Sequence, residues 1–419
     1  MSLLPASPVV LKRVALGAVL LGIGLRVAAV LATPVFPTVA NTWDSNFYHE
    51  TATSLAGGEG YTFQGKPTAY YPPAFPAALS LVYRVTGPSA RAGQLLNVAL
   101  SLALLAAMAG LAGCLAGPRT AWITALLLAV EPSQIVMPAF LMSETLCGAT
   151  LAGALACLAR RAAGGGLLWL GGAALLGAAA GLARGHAFLV PPVAVAALLG
   201  WGSFSAARAR TALVVVLAGL CVTVGLWAAR NDRRLGKPVP VATNTGINLL
   251  LGNNPNARGA RADPPGGVPQ TGDEIADEDI ATRRALDYIR AEPGRFVLLL
   301  PVKAFRLLAP APAVTYRAEL GEKWSPAAAL AVSALAQLAH GVLIVLAGIF
   351  LWRARGAARG SGERALGRLL VGVFLIWTVG HLPFLGGARY AFPVHALLAA
   401  GAAGWLARAP GARLSDSAP

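Results

Sequence analysis

Asp44, in the stretch NTWDSNFYHE that follows the first long apolar run, is the residue of this chain best placed to do chemistry. A carboxylate can take the proton from an attacking hydroxyl, and Asp is also a favoured helix N-cap, so spacing alone leaves both roles open. Four further charges stand inside or beside apolar runs, where an ionised side chain is costly unless it faces a bundle interior or water. Arg26 interrupts the first run, Glu144 stands in FLMSETL, Arg184 in LARGH, and Arg389 just ahead of the last run. Arg184 and Arg389 have the charge to hold an anion. Each of the four also has a plainer reading. Arg26 can snorkel, Glu144 can complement the positive end of a helix, and the two other arginines can anchor turns at the interface. Glu131, just before Pro132, reads as an interface loop residue.

The elements that must carry these residues are membrane helices. Mean hydropathy is +0.63, hydrophobic residues make up 56% of the 419, and charged residues only 12%, half the share of about 25% usual in soluble domains. Apolar runs long enough to cross about 30 Å of hydrocarbon recur along the chain. They fall near 10–32, 89–116, 119–137, 139–159, 166–183, 186–202, 211–229, 327–352, 366–385 and 389–408, predicting an all-α polytopic bundle of about ten spans in one domain, residues 1–419. The stretch FVLLLPVKAFRLLAP, 296–310, is short and carries Lys303 and Arg306, so it is expected to lie at the interface or to re-enter rather than span.

Basic loops stay cytoplasmic. Lys12 with Arg13, Arg119, Arg160 with Arg161, Arg208 with Arg210, Arg353 through Arg368, and Arg408 with Arg413 all fall on one side of such a bundle. This predicts a multi-pass protein of the plasma (inner) membrane with both termini inside. The large loops 33–88 and 230–326 then face outside, together with the turns bearing Glu131, Arg184 and Arg389. In the first loop, Asp44 starts a pattern that puts Phe47, Tyr48, Thr51, Ala52 and Leu55 on one face, stopped by Gly57-Gly58; a second interfacial helix starts at YYPPAFPAAL, with Lys66 between the two.

Several classes of function drop out. The formal charge of +16 follows largely from the cytoplasmic arginines, and no basic, aromatic-interleaved patch points to nucleic acid. Cys114, Cys147, Cys157 and Cys221 lie in apolar runs without CxxC spacing, which excludes a zinc knuckle. The histidines, His49, His186, His340, His381 and His395, form no paired ligand spacing, and there is no Walker loop, GxSxG or dinucleotide fingerprint. The acids Asp273, Glu274, Asp277, Glu278 and Asp279 do not space as an EF-hand and read as the solvated first turns of a helix. No cofactor and no metal ligand set is expected.

A bundle that presents acids and bases at one face suits a lipid-borne substrate, and here the chain resembles a known family: the multi-span GT-C glycosyltransferases of family 39, the protein O-mannosyltransferase and lipid A aminoarabinose transferase kind. The resemblance runs in order through Arg26, WDSNFYHETATSLAGGEGY with Tyr48, YYPPAFPAAL with Tyr71, Arg91 and Asn97, LMSETL, GLARGHAFLVPP, WAARNDRRLGKPVPVATNTGINLLLGNNPNARG, ALDYIRAEPGRF, and GARYAFPVHALL with Tyr390. It implies a polyprenyl-phosphate sugar donor, an acceptor hydroxyl on lipid, glycan or protein, and transfer on the extracytoplasmic face. Asp44 matches the family's first-loop acid, associated with activating the acceptor. The neighbouring acid usual in the family is Ser45 here, which removes half of any paired site for a divalent metal. Glu144 matches a second acid that orients acceptor or sugar, and Lys66, Arg184 and Arg389 are the candidates for the donor phosphate. A transporter or flippase of lipid-linked sugars is the alternative reading of the same composition, though no inverted repeat is visible.

Overall fold

The computed structural model describes residues 7–33, 43–309 and 325–408. Arg413, used above for the orientation of the C-terminus, lies outside them, as do parts of both outer loops. Among the described residues the chain is almost wholly helical. The helices that read as apolar runs are α1 (Pro8–Ala32), α4 (Ala90–Ala116), α5 (Pro118–Val130), α7 (Glu144–Ala162), α8 (Leu167–Ala183), α9 (Val190–Leu198), α10 (Ala206–Leu235), α14 (Pro326–Ala354), α15 (Gly362–His381) and α16 (Ala388–Leu406). Between them run α2 (Trp43–Gly57), a two-residue hairpin of β1 (Thr62–Phe63) and β2 (Lys66–Pro67), and α3 (Ala74–Thr86). The short α6 (Pro132–Val136) follows α5, and the second outer loop holds α11 (Thr245–Gly252), α12 (Glu274–Ala291) and α13 (Pro293–Leu308).

Among the described residues five helices, α1, α4, α10, α14 and α15, are long and apolar enough to cross a membrane, and the bent segment Pro118–Ala139 makes a sixth span if its parts are taken together. The continuous span expected over 119–137 is thus corrected: the chain bends by 62° at Glu131. Pro132 has no N–H for the Leu128 carbonyl, so the ladder breaks there. Arg26 fills the gap. Its guanidinium donates to the carbonyls of Leu128 (2.9 Å) and Ala129 (2.9 Å), to Gly22 O (3.0 Å) and, through Nε, to Ser101 Oγ (3.0 Å). It is buried, and this bonding replaces the snorkelling reading. The run 186–202 likewise begins as a 3-10 turn, Gly185–Leu189, before α9.

The short, less apolar helices α7 and α16 sit at the centre, where neighbouring helices replace lipid. Every residue of α16 from Ala391 to Gly404 is buried, because its Ala/Gly composition lets neighbours close in. At one end of the bundle the arginine-rich turns gather: Arg368 donates to Leu199 O, Ser203 N to Ala162 O, and Glu363 pairs with Arg408. The candidate site lies at the other end. As expected, α13 is short and amphipathic, exposing Val297, Leu298 and Phe305 while burying Lys303.

Candidate active site

Glu144, Arg184, Arg389 and Asp44 come from four separate elements and meet in one cluster. Glu144 is in the first turn of α7, where the helix dipole favours an acid, and Arg184 follows the last residue of α8, where it favours a cation. Arg389 sits in the first turn of α16, an unfavourable end for a cation, and is balanced by acids instead. Its Nε donates to Glu144 Oε1 at 2.6 Å and its Nη2 to Asp44 Oδ2 at 2.6 Å, while Arg184 Nη1 reaches the same Glu144 oxygen at 3.0 Å. Two acids and two arginines therefore neutralise one another. The Glu144 side chain is fully buried, and its Oε2 finds no hydrogen-bond partner among the described residues, whereas Asp44 keeps 26% and each arginine 16% of its side-chain surface open. Both guanidiniums lie near the Tyr390 ring, 5.4 and 5.8 Å from its centroid.

Asp44 is not the cap that spacing allowed. Helix α2 starts at Trp43, one residue before it, and the carboxylate accepts from Tyr71 Oη at 2.7 Å as well as from Arg389. Burial alone would raise this carboxyl, but the charge and hydrogen bond of Arg389, the Tyr71 hydroxyl and the charge of Arg184 together hold it below the ordinary Asp range. Burial and the neighbouring carboxylate push the Tyr71 phenol well up, so it stays a proton donor to Asp44. A box of rings frames the group. Tyr71 lies 5.1 Å from Phe47 and 5.2 Å from Tyr48, and the Tyr48 hydroxyl hydrogen-bonds Ser143 Oγ at 3.2 Å, tying α2 to the turn that opens α7.

The other residues singled out in the sequence lie behind or beside this cluster. Asn97 Nδ2 donates to Phe140 O (2.7 Å) and Met142 O (3.4 Å), fixing the turn that ends at Glu144. Arg91 donates to Val30 O in the last turn of α1 and to Thr33 O just beyond it. Arg26 serves the α5 break described above. Lys66 is exposed on the hairpin, and no hydrogen bond or ion pair joins it to the four charges. Among the described residues no three His, Cys, Asp or Glu side chains converge as metal ligands, and Asp44 and Glu144 share the guanidinium of Arg389.

The acidic helix of the second loop does more than face solvent. Asp273 caps α12 through the N–H groups of Ile275 and Ala276, but Glu274 reaches across to Thr68 Oγ1 (2.6 Å), Ala69 N (2.8 Å) and Thr243 Oγ1 (2.5 Å). Glu278 accepts the Gly246 N–H with both oxygens at 2.8 Å. Arg230 adds two more ties, to Thr68 O and Tyr61 O at 2.7 Å each, so the second loop holds the segment that carries Tyr71. No local sequence signal marks Glu274, since Thr68 and Ala69 lie some two hundred residues away and Thr243 stands 31 residues before it.

No family model and no curated protein matches the chain. Among solved structures, the oligosaccharyltransferase of Archaeoglobus fulgidus in complex with Zn and sulfate aligns at TM-score 0.51 and 15% identity over 93% of this chain and 48% of that one. The same archaeal oligosaccharyltransferase, AglB, in complex with an inhibitory peptide and a dolichol-phosphate aligns at 0.51 and 13% identity over 93% and 50%. ArnT from Cupriavidus metallidurans bound to undecaprenyl phosphate aligns over 90% of this chain and 77% of that one, at 17% identity and TM-score 0.41. This chain spans about half the length of the oligosaccharyltransferase chains. The likeness establishes the fold, an all-α membrane bundle of GT-C type.

Proposed function

We propose that the protein is a membrane glycosyltransferase of the family 39 kind, moving a sugar from a polyprenyl-phosphate donor to an acceptor hydroxyl. The observation that carries this reading is the junction of Asp44 and Glu144 through Arg389, with Arg184 alongside, at one end of a GT-C-type bundle. The dolichol-phosphate bound by the archaeal oligosaccharyltransferase supports a lipid phosphate as the donor carrier. The arginine-rich turns at the opposite end support a cytoplasmic location for that end and both termini, and hence an extracytoplasmic site in the plasma (inner) membrane.

In this reading the acceptor oxygen attacks the anomeric carbon, the bond from that carbon to the phosphate oxygen breaks, and Asp44 takes the acceptor's proton. Arg389 and Arg184 stabilise the charge that develops on the departing polyprenyl phosphate. The phosphate draws on the same Arg389 donors that hold Asp44, so donor binding weakens the masking of the base and lets its pKa rise toward a value suited to proton transfer. Glu144 keeps the two arginines together and offers Oε2 to a hydroxyl of the sugar or acceptor. The decisive assay supplies purified protein with a labelled polyprenyl-phosphate sugar and a membrane extract as acceptor source. Asp44→Asn should lower transfer by about 10²–10⁴-fold with folding intact; undiminished transfer by the folded variant would refute the base assignment. A wild-type protein that moves the donor across vesicles without transferring sugar would favour the flippase.

A further inference from the structure

Lys303 is a buried cation that no acid pairs among the described residues. It lies in α13 at 1% exposure, next in size to Arg26 among the fully buried charged side chains. Its ammonium donates to Asn253 Oδ1 at 2.8 Å and toward the Pro383 carbonyl at 3.4 Å, with the Phe296 ring 5.4 Å away. Neutral partners compensate a buried ammonium poorly, and burial lowers it to about 8. The surroundings show what the arrangement holds in place.

Asn253 Nδ2 donates to the same Pro383 carbonyl at 2.7 Å, so Lys303 and Asn253 grip one backbone oxygen together. Beyond it the two backbones touch. Gly386 N donates to Gly259 O at 2.9 Å, a Cβ at Gly386 would collide with the Lys303 carbonyl, and a Cβ at Gly252 would collide with the Phe384 carbonyl. The segment 383–386 is thus pinned by the second outer loop from α11 on one side and α13 on the other. It leads directly into α16, whose first turn carries Arg389.

We propose that Lys303 is a positioning residue: by clamping the Pro383 to Gly386 segment it sets the register of α16 at which Arg389 bridges Asp44 and Glu144. The consequence for donor binding rests on the transferase reading, but the placement of Arg389 is testable without it. The experiment measures modification of individual arginines by phenylglyoxal in the full-length protein in mild detergent, read by mass spectrometry of peptides. In the wild type, Arg389 should react slowly because both carboxylates hold it, and Arg26 should be inert because it is buried. Lys303→Met should raise the Arg389 rate several-fold while Arg26 stays inert, Lys303→Arg should restore slow reaction, and Asn253→Ala, which removes the other half of the grip, should mimic the loss. An unchanged Arg389 rate in both Lys303→Met and Asn253→Ala overturns the proposal, as does a parallel rise at Arg26 in both variants, which would mark general loosening. A wild type that transfers no sugar counts against the proposed function and leaves the labelling result to decide on Lys303.

Discussion

Gly148 of α7 lies against the backbone of Pro393 in α16, and one turn nearer the N-termini of these two helices Glu144 meets Arg389. Both helices run the same way, so a close approach at the lower pair fixes the height of the upper one. A Cβ at Gly148 would stand 3.4 Å from Pro393 Cα, ordinary contact, and 2.6 Å from the movable tip of Leu104. The site charges are thus placed by a close helix contact that has room for a small residue only, four positions away.

Gly148→Ala is accordingly expected to fold and retain most activity, because only the Leu104 tip must shift. Gly148→Leu cannot be absorbed that way, and overpacking at close helix contacts costs about 1–3 kcal/mol. We expect it to separate α7 from α16 and lengthen the Arg389 to Glu144 contact. Transfer should then fall far more than in the Ala variant, with a rise in donor KM; equal activity of the two variants would show that the helix spacing does not set the site.

The pH dependence of transfer follows from the forces on Asp44. Burial pushes its carboxyl up, and Arg389 is the largest influence pulling it down. A folded-state value below the ordinary one means the carboxylate stabilises the fold above the unfolded value of about 3.9, and this is lost as pH falls through the folded value. No acidic limb due to Asp44 should therefore appear in kcat/KM for the donor, which reports the free enzyme, between pH ~5 and 8. Arg389→Gln removes the main downward pull and leaves burial to dominate, so its residual activity should show an acidic limb displaced to higher pH. Profiles of kcat/KM at limiting donor, which report the protein before a phosphate takes up the Arg389 donors, check this, and superimposable profile shapes for the two proteins would exclude the coupling.

What the sequence disclosed and what it hid divide along the range of the interactions. Asp44, Glu144, Arg184 and Arg389 stood out because a charge beside an apolar run is conspicuous in one dimension, and the structure does bring these four together. The stops at Gly57-Gly58 and the prolines before α3 are local steric signals and fell where expected. Lys66 looked similar to the arginines as a charge near the first-loop acid, yet the hairpin turns it to solvent. The reading of the acidic helix as solvated failed at Glu274 and Glu278, since amphipathicity registers composition but not a partner such as Thr68 on another loop. In the sequence Lys303 registers as a charge that keeps a short apolar run from spanning the membrane, because its partners, Asn253 and Pro383, are distant along the chain.

Arg26 provides a test that separates architecture from chemistry. Its guanidinium supplies the hydrogen bond that Pro132 cannot give to Leu128 O and satisfies Ala129 O beside it. Arg26→Met leaves those two buried carbonyls without their donor, at about 1–3 kcal/mol for each group. The variant should therefore unfold at clearly lower temperature or denaturant concentration in detergent. Because Arg26 makes no bond to Asp44, Glu144, Arg184 or Arg389, the protein that remains folded should keep its donor KM within about twofold and lose little kcat, against the loss of about 10²-fold or more expected when Asp44 is changed. Arg26→Lys should recover only part of the stability, since an ammonium lacks the fork that reaches both carbonyls. A large rise in donor KM in folded Arg26→Met protein would instead place Arg26 in the binding site and contradict its assignment to the helix break.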